Sequence, residues 1–146
     1  GKERDEVKNK KEVPAGGRGQ IHYEPIVESR RRYAAPLADM GGRLSRHFGE
    51  SSYFALVEMD FEEMKLVRQE IIANPHKDLS KGKGLKVAQF LLGFKPDVVF
   101  SIEGLEGKGP GYAFAEAGVE TVQTDAETLE ELMADLLEAE RNRTNL

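Results

Sequence analysis

The stretch that decides the fold is SRHFGESSYFALVEMD, residues 45–60. It begins with a polar loop that contains Arg46 and His47, and it ends in a run of strand-forming residues at 53–60. A second run of this kind, KLVRQEIIA, follows at 65–73. Because the connection between the two runs is short, they predict a β-hairpin. The polar loop before the hairpin is typical of a binding loop mounted on a rigid scaffold.

Beyond residue 74 the sequence alternates between helical and strand patterns. Residues 85–93 are apolar on nearly every side, which predicts a buried helix, and residues 97–102 predict a strand buried on both faces. A second helix at 112–117 and a last strand at 119–123 follow. Helices that alternate with strands in this way predict parallel strands joined by right-handed crossovers.

Both ends of the folded part fit the same architecture. Residues 32–38 predict a first strand. Thr124 and Glu127 have the spacing of a capping box, which predicts the start of a final helix. The apolar residues after this box recur with helical periodicity, and they are Leu129, Leu132, Met133, Leu136 and Leu137. The expected fold class is therefore α/β, with a mixed sheet of about five strands flanked by about three helices.

Composition divides the chain into a lead-in and one domain. Residues 1–20 alternate charges and contain almost no large aliphatic side chain, which predicts a disordered segment. We expect a disordered lead-in and linker over 1–31, a folded domain over 32–140 and a frayed tail over 141–146. Since the chain begins with Gly1 and not with Met, we expect a piece of a longer protein.

Charge and missing residue types exclude several classes of function. Residues 33–146 hold twelve Lys and Arg against twenty Asp and Glu, so nucleic acid is not an expected partner of the domain. The chain contains no cysteine, which excludes disulfides and thiolate metal sites and fits a cytoplasmic location. No apolar run approaches the roughly 18 residues of a membrane helix, so we expect no membrane insertion by this chain.

Three polar loops converge if the sheet has this topology, and they span 39–52, 76–84 and 103–111. In open α/β sheets ligands lie beyond the carboxyl ends of parallel strands. Two of the loops lead into helices, whose N-termini attract anions. These two loops also place a lysine between glycines, at Gly82-Lys83-Gly84 and Gly107-Lys108-Gly109. The pattern favours an anionic ligand, and turn geometry alone is the alternative explanation of the glycines.

The histidines and the acids give further candidates. His47 and His76 are candidate metal or cluster ligands, and their alternative roles are a hydrogen-bonding loop residue and a solvent-exposed residue. Four aspartates fall near the ends of predicted strands, where capping residues also occur: Asp39, Asp60, Asp78 and Asp97. Neither paired carboxylates nor a Ser/His/Asp arrangement stands out, so we expect no enzymatic activity.

Three long stretches are similar to the dinitrogenase iron–molybdenum cofactor biosynthesis family. They are RYAAPLADMGGRLSRHFGESSYFALVEMD (32–60), NPHKDLSKGKGLKVAQFL (74–91) and DVVFSIEGLEGKGPGYAFAEAGVETV (97–122). The resemblance covers about residues 32–138. Its most specific piece is HFG followed by an aromatic and a hydrophobic strand, at 47–57, and the AGVE turn at 117–120 supports it.

This resemblance implies a ribonuclease H-like fold and a non-enzymatic binding domain. The implied ligand is an anionic metal–sulfur cluster or cofactor precursor that contains molybdenum or iron and is not covalently bound. Cofactor-carrier proteins are the implied protein partners. Carried onto this chain, the cofactor-binding residues are His47, Phe48, Gly49, Lys83, Gly84, Gly107, Lys108 and Gly109.

The chain departs from the family pattern in one loop. Many members carry His or Cys before the first crossover helix, where this chain has lysines and glycines at 81–84. His47 and His76 are then the candidate ligands in the domain for direct coordination of a cluster metal. A pair of lysines can still hold an anion without coordinating it.

A shorter resemblance suggests an alternative function. IHYEP (21–25) is similar to the last strand of the cytoplasmic domain of cation diffusion facilitator transporters, where His22 and Glu24 match zinc ligands. The alternative is a cytosolic regulatory or interaction module of a cation efflux transporter, tethered to the membrane through that transporter and with no cluster of its own. A third reading is a hydrolase on a ribonuclease H-like fold, which needs clustered acids that bind a divalent metal.

Overall fold

The computed structural model describes residues 29–144, and these form one five-stranded sheet with three helices. The strands are β1 (Arg30–Leu37), β2 (Tyr53–Asp60), β3 (Lys65–Ala73), β4 (Val98–Ser101) and β5 (Glu120–Gln123). The helices are α1 (Lys83–Leu92), α2 (Gly109–Glu116) and α3 (Leu129–Thr144). Residues 1–28 of the expected lead-in, including His22 and Glu24, lie outside the described residues, whereas Arg30 and Arg31 at its end belong to β1 and are not a linker.

The strand order in the sheet is β3-β2-β1-β4-β5. β2 runs antiparallel to both of its neighbours, and β1, β4 and β5 are mutually parallel. The predicted hairpin is therefore confirmed, and so is the predicted parallel part of the sheet. This order, with only the second strand reversed, is the ribonuclease H-like arrangement, so the expected α/β fold class is confirmed as well.

The sheet has a hydrophobic core on each face because successive side chains of a strand point to opposite sides. Tyr33 packs on the α3 side, where its ring stacks on Phe100 with centroids 5.6 Å apart. Its neighbour Ala34 faces α1 and α2 instead. The second core is built largely on aromatic rings, including Phe48, Phe54 and Phe114. Both helical layers are thus fixed to the sheet by buried apolar contacts.

Two helix starts differ from the sequence-based expectation by three residues or more, and α1 begins two residues early, at Lys83. α2 begins at Gly109, three residues before the predicted start at 112. Pro110 fits the first turn of a helix, because backbone N–H groups in that turn have no acceptor within the helix and the proline lacks this N–H. The predicted capping box at Thr124 and Glu127 is wrong. The Thr124 hydroxyl accepts instead from the Ala126 amide, and the α3 cap is Thr128, which accepts from the Glu131 amide at 3.1 Å.

The extents of two other helical features also differ. α1 is not apolar and buried on every side, since the Leu85 side chain is 47% exposed. α3 continues to Thr144, past the predicted fraying point at 141. The ion pair between Glu140 and Arg143 lies in this last part of the helix. Within residues 29–144, no helix combines the length and the apolar character that a bilayer-spanning helix requires.

Candidate functional site

The three loops that the sequence predicts to converge do meet in the structure. The Phe48 amide donates to the Glu103 carboxylate at 2.9 Å, which joins the loop before β2 to the loop after β4. Lys83 Nζ lies 3.3 Å from Glu50 Oε2, which joins the first of these loops to the start of α1. Lys108 Nζ lies 3.9 Å from Glu103 Oε1. The Phe48–Glu103 hydrogen bond and the Lys83–Glu50 ion pair therefore join the loops, whereas the contact of Lys108 with Glu103 lies within the loop after β4.

Two polar residues that sequence reasoning missed hold the loop at 47–51 through hydrogen bonds to its carbonyl groups. Ser51 is fully buried, and its hydroxyl oxygen lies 2.8 Å from the Phe48 carbonyl oxygen and 3.0 Å from that of His47. Asn74 Nδ2 donates to the Gly49 and Ser51 carbonyls at 3.1 and 2.9 Å. In the sequence Asn74-Pro75 indicates only the end of β3. The role of Asn74 in supporting the loop could not be predicted from it.

The predicted cofactor-binding residues divide into three groups in the structure. The Phe48 ring is 1% exposed and packs against Phe54 and Phe114 with centroid distances of 5.3 and 6.0 Å, so it belongs to the core and does not face a ligand. Gly84 serves close packing, because a Cβ there would lie 2.9 Å from Pro110 Cγ. The exposed or half-buried members are His47, Gly49, Lys83, Gly107, Lys108 and Gly109.

The structure does not bring the histidines into a metal site. His47 is exposed, whereas His76 is half-buried with its ring against Phe90 at a centroid distance of 6.1 Å. Within 29–144, no three side chains of His, Asp or Glu lie together in a way that could hold a metal ion. Asp60 accepts from the Glu62 amide at 2.9 Å, which is the capping role that the sequence left open for it.

A cleft of about 790 Å³ opens beyond the carboxyl ends of β4 and β5, beside the converging loops. Its lining residues are Arg43, Leu44, Arg46, Ile102, Gln123, Thr124, Asp125, Ala126 and Glu127. Ile102 directly follows β4, and Gln123 ends β5. This is the position at which open α/β sheets bind ligands. Sequence reasoning named Arg46 as part of its polar loop but assigned no binding role to Arg46 or Arg43, although their charge was the available signal.

Backbone hydrogen bonds fix the two walls of the cleft relative to each other. The Leu44 amide donates to the Glu127 carbonyl at 3.0 Å, and the Leu129 amide donates to the Gly42 carbonyl at 2.7 Å. One wall is therefore tied to the segment that precedes α3. Because both bonds are between main-chain groups, side-chain substitutions in the cleft leave them in place.

The two arginines of the cleft differ in whether a carboxylate lies beside the guanidinium. The backbone N–H groups of Arg43 and Gly41 hold the pKa of Asp39 below its ordinary value. The Arg43 guanidinium lies 3.3 Å from the same carboxylate. Arg46 is exposed and forms no ion pair within the described part of the chain. Arg46 is therefore the cation of the cleft that is open to an anion, while Asp125 and Glu127, which also line the cleft, bring negative charge to it.

Comparison with known proteins agrees with this architecture. The structure is similar to the apo form of the orange protein from Desulfovibrio gigas, with a TM-score of 0.60, 23% sequence identity, and coverage of 75% of this chain and 89% of that one. It is also similar to the NMR structure of a putative NifB protein from Thermotoga, with a TM-score of 0.57, 23% identity, and coverage of 75% and 90%. At such identities the likeness establishes a common fold.

The sequence itself carries the family assignment. No curated protein matches the chain in sequence. The family model described as dinitrogenase iron–molybdenum cofactor matches residues 31–139, which is nearly all of the part that the structure describes. The match begins after residues 21–25, so the resemblance of that segment to a transporter strand stays a prediction. The chain belongs to the dinitrogenase iron–molybdenum cofactor family.

Proposed function

We propose that this domain is a non-enzymatic carrier of an anionic metal–sulfur cluster or precursor of the iron–molybdenum cofactor type. The single observation that carries the proposal is the exposed Arg46 on a cleft of about 790 Å³ at the carboxyl ends of β4 and β5. Family membership supports the class of ligand. In this proposal the cluster is the cargo of the protein and cofactor-carrier proteins are its partners, and the absence of cysteine favours a cytoplasmic location.

The side chains present suit a cluster that is held by charge and hydrogen bonds. The chain has no cysteine, so it offers no thiolate ligand, and in this proposal the sulfide ligands arrive with the cluster. A guanidinium is a planar cation with several donors, and it suits the sulfur atoms of a thiometallate anion. In this proposal His47, which is exposed and follows Arg46 in the chain but is not among the residues that line the cleft, is the candidate imidazole for one bond to a metal.

The charge balance of the cleft indicates weak and reversible binding. Arg46 attracts an anion, but Asp125 and Glu127, which also line the cleft, repel it. Like charges within a few ångströms reduce the net attraction at a partly solvated site. A carrier must release its cargo to an acceptor, and such a balance is suited to release.

Titration with tetrathiomolybdate, followed by its visible absorbance, tests the proposal. R46E reverses the charge that faces the cleft, and we expect it to weaken binding by roughly tenfold or more, the value of a charge-assisted contact. K86E makes the same type of charge change at an exposed position of α1, away from the cleft, and we expect it to bind as the wild type does. Equal binding by R46E and the wild type, or no binding by the wild type, would contradict the proposal.

A second candidate function rests on IHYEP at 21–25. If this segment completes a zinc-binding strand of a cation efflux transporter, the domain is a regulatory or interaction module without a cluster. This candidate predicts that the wild type does not bind tetrathiomolybdate. It also predicts that the intact transporter loses zinc binding when His22 is replaced in H22A. Binding of tetrathiomolybdate that depends on Arg46 would favour the carrier instead.

A further inference from the structure

A carboxylate near the cleft engages one of the two arginines that line it. Arg43 lines the cleft, and its Nε lies 3.3 Å from Asp39 Oδ2. Asp39 is not itself among the residues that line the cleft. A guanidinium pairs with carboxylates and with other anions through the same N–H groups. Asp39 and an anion in the cleft therefore compete for Arg43.

The turn after β1 fixes the position of this carboxylate. Asp39 Oδ1 accepts from the Gly41 amide at 2.9 Å and from the Arg43 amide at 3.3 Å. Gly42 has a φ of 103°, a value that favours glycine and lets the chain reverse around the carboxylate. The second oxygen, Oδ2, is the one beside the guanidinium. One oxygen of Asp39 thus shapes the turn, and the other faces Arg43.

The main chain at Arg43 is held independently of its side chain. The Arg43 carbonyl accepts from the Ala38 amide at 2.8 Å, and Arg43 forms an isolated antiparallel bridge with Thr128. Both contacts use main-chain groups only. The guanidinium stands at the end of a long side chain, so it can turn from Asp39 to a ligand while the backbone of the cleft stays in place.

The ion pair between Arg43 and Asp39 is permanent in charge but weak in strength. The Arg43 amide, together with the Gly41 amide, holds the pKa of Asp39 below its ordinary value, so the carboxylate is charged at neutral pH. The two side chains are 67% and 46% exposed. Ion pairs in such contact with water contribute little, because solvent competes for both charges. An anion of higher charge can therefore displace the carboxylate.

We propose that Asp39 is an intramolecular competitor for the Arg43 guanidinium, and that an anion bound at Arg46 also takes Arg43 from Asp39. This inference rests on the proposed function and concerns the regulation of the same site. A doubly charged thiometallate gains from a second cation in the cleft. The competition keeps the affinity below the value that two unengaged arginines would give, which suits a carrier that must release its cargo.

Affinities for tetrathiomolybdate, followed by its visible absorbance, test this proposal. D39N keeps a side-chain oxygen for the turn amides and removes the charge that engages Arg43. We expect D39N to bind about three- to fivefold more tightly than the wild type, near the upper value of an exposed ion pair. In the R43M background the same replacement has no guanidinium to release. D39N/R43M and R43M should therefore agree within about 1.5-fold.

A charge control and a spectroscopic readout complete the test. Glu106 is exposed on the loop after β4 and does not line the cleft, so E106Q removes one negative charge without releasing an arginine of the cleft. We expect E106Q to bind within about 1.5-fold of the wild type, because salt screens exposed charges at a distance. The Arg43 Nε–H resonance should shift when tetrathiomolybdate is added to the wild type, and should already be shifted in free D39N. If D39N is less stable, D39S also keeps an oxygen acceptor and gives the same comparison.

The outcomes separate this inference from the carrier function. A wild type that binds tetrathiomolybdate and a D39N variant that binds no more tightly would overturn the competition alone. A gain from D39N that persists in the R43M background would also overturn it, because the gain would then be an effect of charge at a distance. Binding by D39N but not by the wild type would support the competition and contradict the carrier function. No binding by either protein would overturn both.

Discussion

The backbone amide of Phe48 donates a 2.9 Å hydrogen bond to the carboxylate of Glu103. This bond spans two loops that the chain separates by three strands and a helix, and it sets the position of His47 relative to the loop after β4. The Phe48 ring is buried in the core, so one residue connects the packing of the domain to the geometry of the candidate site. The loops at the site are thus held by the same contacts that stabilise the fold.

Removing the Glu103 carboxylate should loosen this connection. We expect E103A to lower the free energy of unfolding by about 1–2 kcal/mol, because a partly buried amide loses a charged acceptor. E106A removes an exposed carboxylate from the same loop, and it should change stability by less than about 0.5 kcal/mol. Urea unfolding of the two variants measures the difference. Equal stability of E103A and E106A would show that the bond contributes nothing.

Gly111 allows the close approach of α2 to the loop before it. A Cβ at this position would lie 2.0 Å from the Leu105 carbonyl oxygen, and backbone cannot move aside easily. We expect G111A to cost about 3 kcal/mol or more, at the upper end of overpacking penalties. G109A, in the same first turn, meets no atom within 4 Å, and it should be neutral or stabilising by up to about 1 kcal/mol. Thermal unfolding of both variants gives the comparison, and a G111A variant as stable as G109A would contradict the predicted clash.

The buried pair of Arg32 and Glu58 stabilises the sheet at the end opposite the cleft. Arg32 Nε lies 2.9 Å from Glu58 Oε2, and its other donors reach the Phe94 and Lys95 carbonyls after α1. R32M leaves a buried carboxylate without this partner, so we expect a loss of about 3–5 kcal/mol. The double variant R32M/E58M should lose less than R32M alone. R31M, at the exposed neighbouring position, is the control, and a double variant less stable than R32M would count against this account.

Tyr33 makes stability depend on alkaline pH. Burial raises the pKa of Tyr33 to about 12, from an ordinary value near 10. The unfolded chain therefore loses this proton first, and the stability that the buried phenol contributes is present below pH 10 and is lost as the pH rises toward 12. Between these values the free energy of unfolding should fall by up to about 1.4 kcal/mol per pH unit on account of this group. Y33F should show a shallower fall than the wild type, whereas Y112F, at an exposed position, should match the wild type. Parallel curves for all three proteins would exclude this role for Tyr33.

The fold could be predicted largely from local patterns. The runs at 53–60 and 65–73 match β2 and β3 residue for residue, because strand-forming residues with a short connection have few alternatives. Helix starts were less predictable. Thr124 and Thr128 both precede a glutamate by three residues, and only tertiary contacts, such as the Leu129 amide donating to the Gly42 carbonyl, select the later position.

The candidate site could be predicted only in part. The sequence indicates which loops converge, because that follows from parallel strands and crossovers. It does not indicate that the Phe48 ring packs in the core against Phe114 or that Arg46 lines the cleft with Ile102, since both residues belong to one polar loop and their directions depend on tertiary contacts. Ser51 and Asn74 gave no signal, because buried polar residues that support a loop look like ordinary turn residues in a sequence.

The measurement that tests the central claim most directly is an amide NMR titration of the domain with tetrathiomolybdate. Molybdate, with the same shape and charge but without sulfur, serves as the control anion. The account predicts shifts that cluster at 43–49, 102–104 and 123–127, that are much smaller with molybdate, and that disappear in R46E. An absence of shifts in these segments, or shifts that R46E leaves unchanged, would contradict the claim that this cleft holds an anionic metal–sulfur cluster.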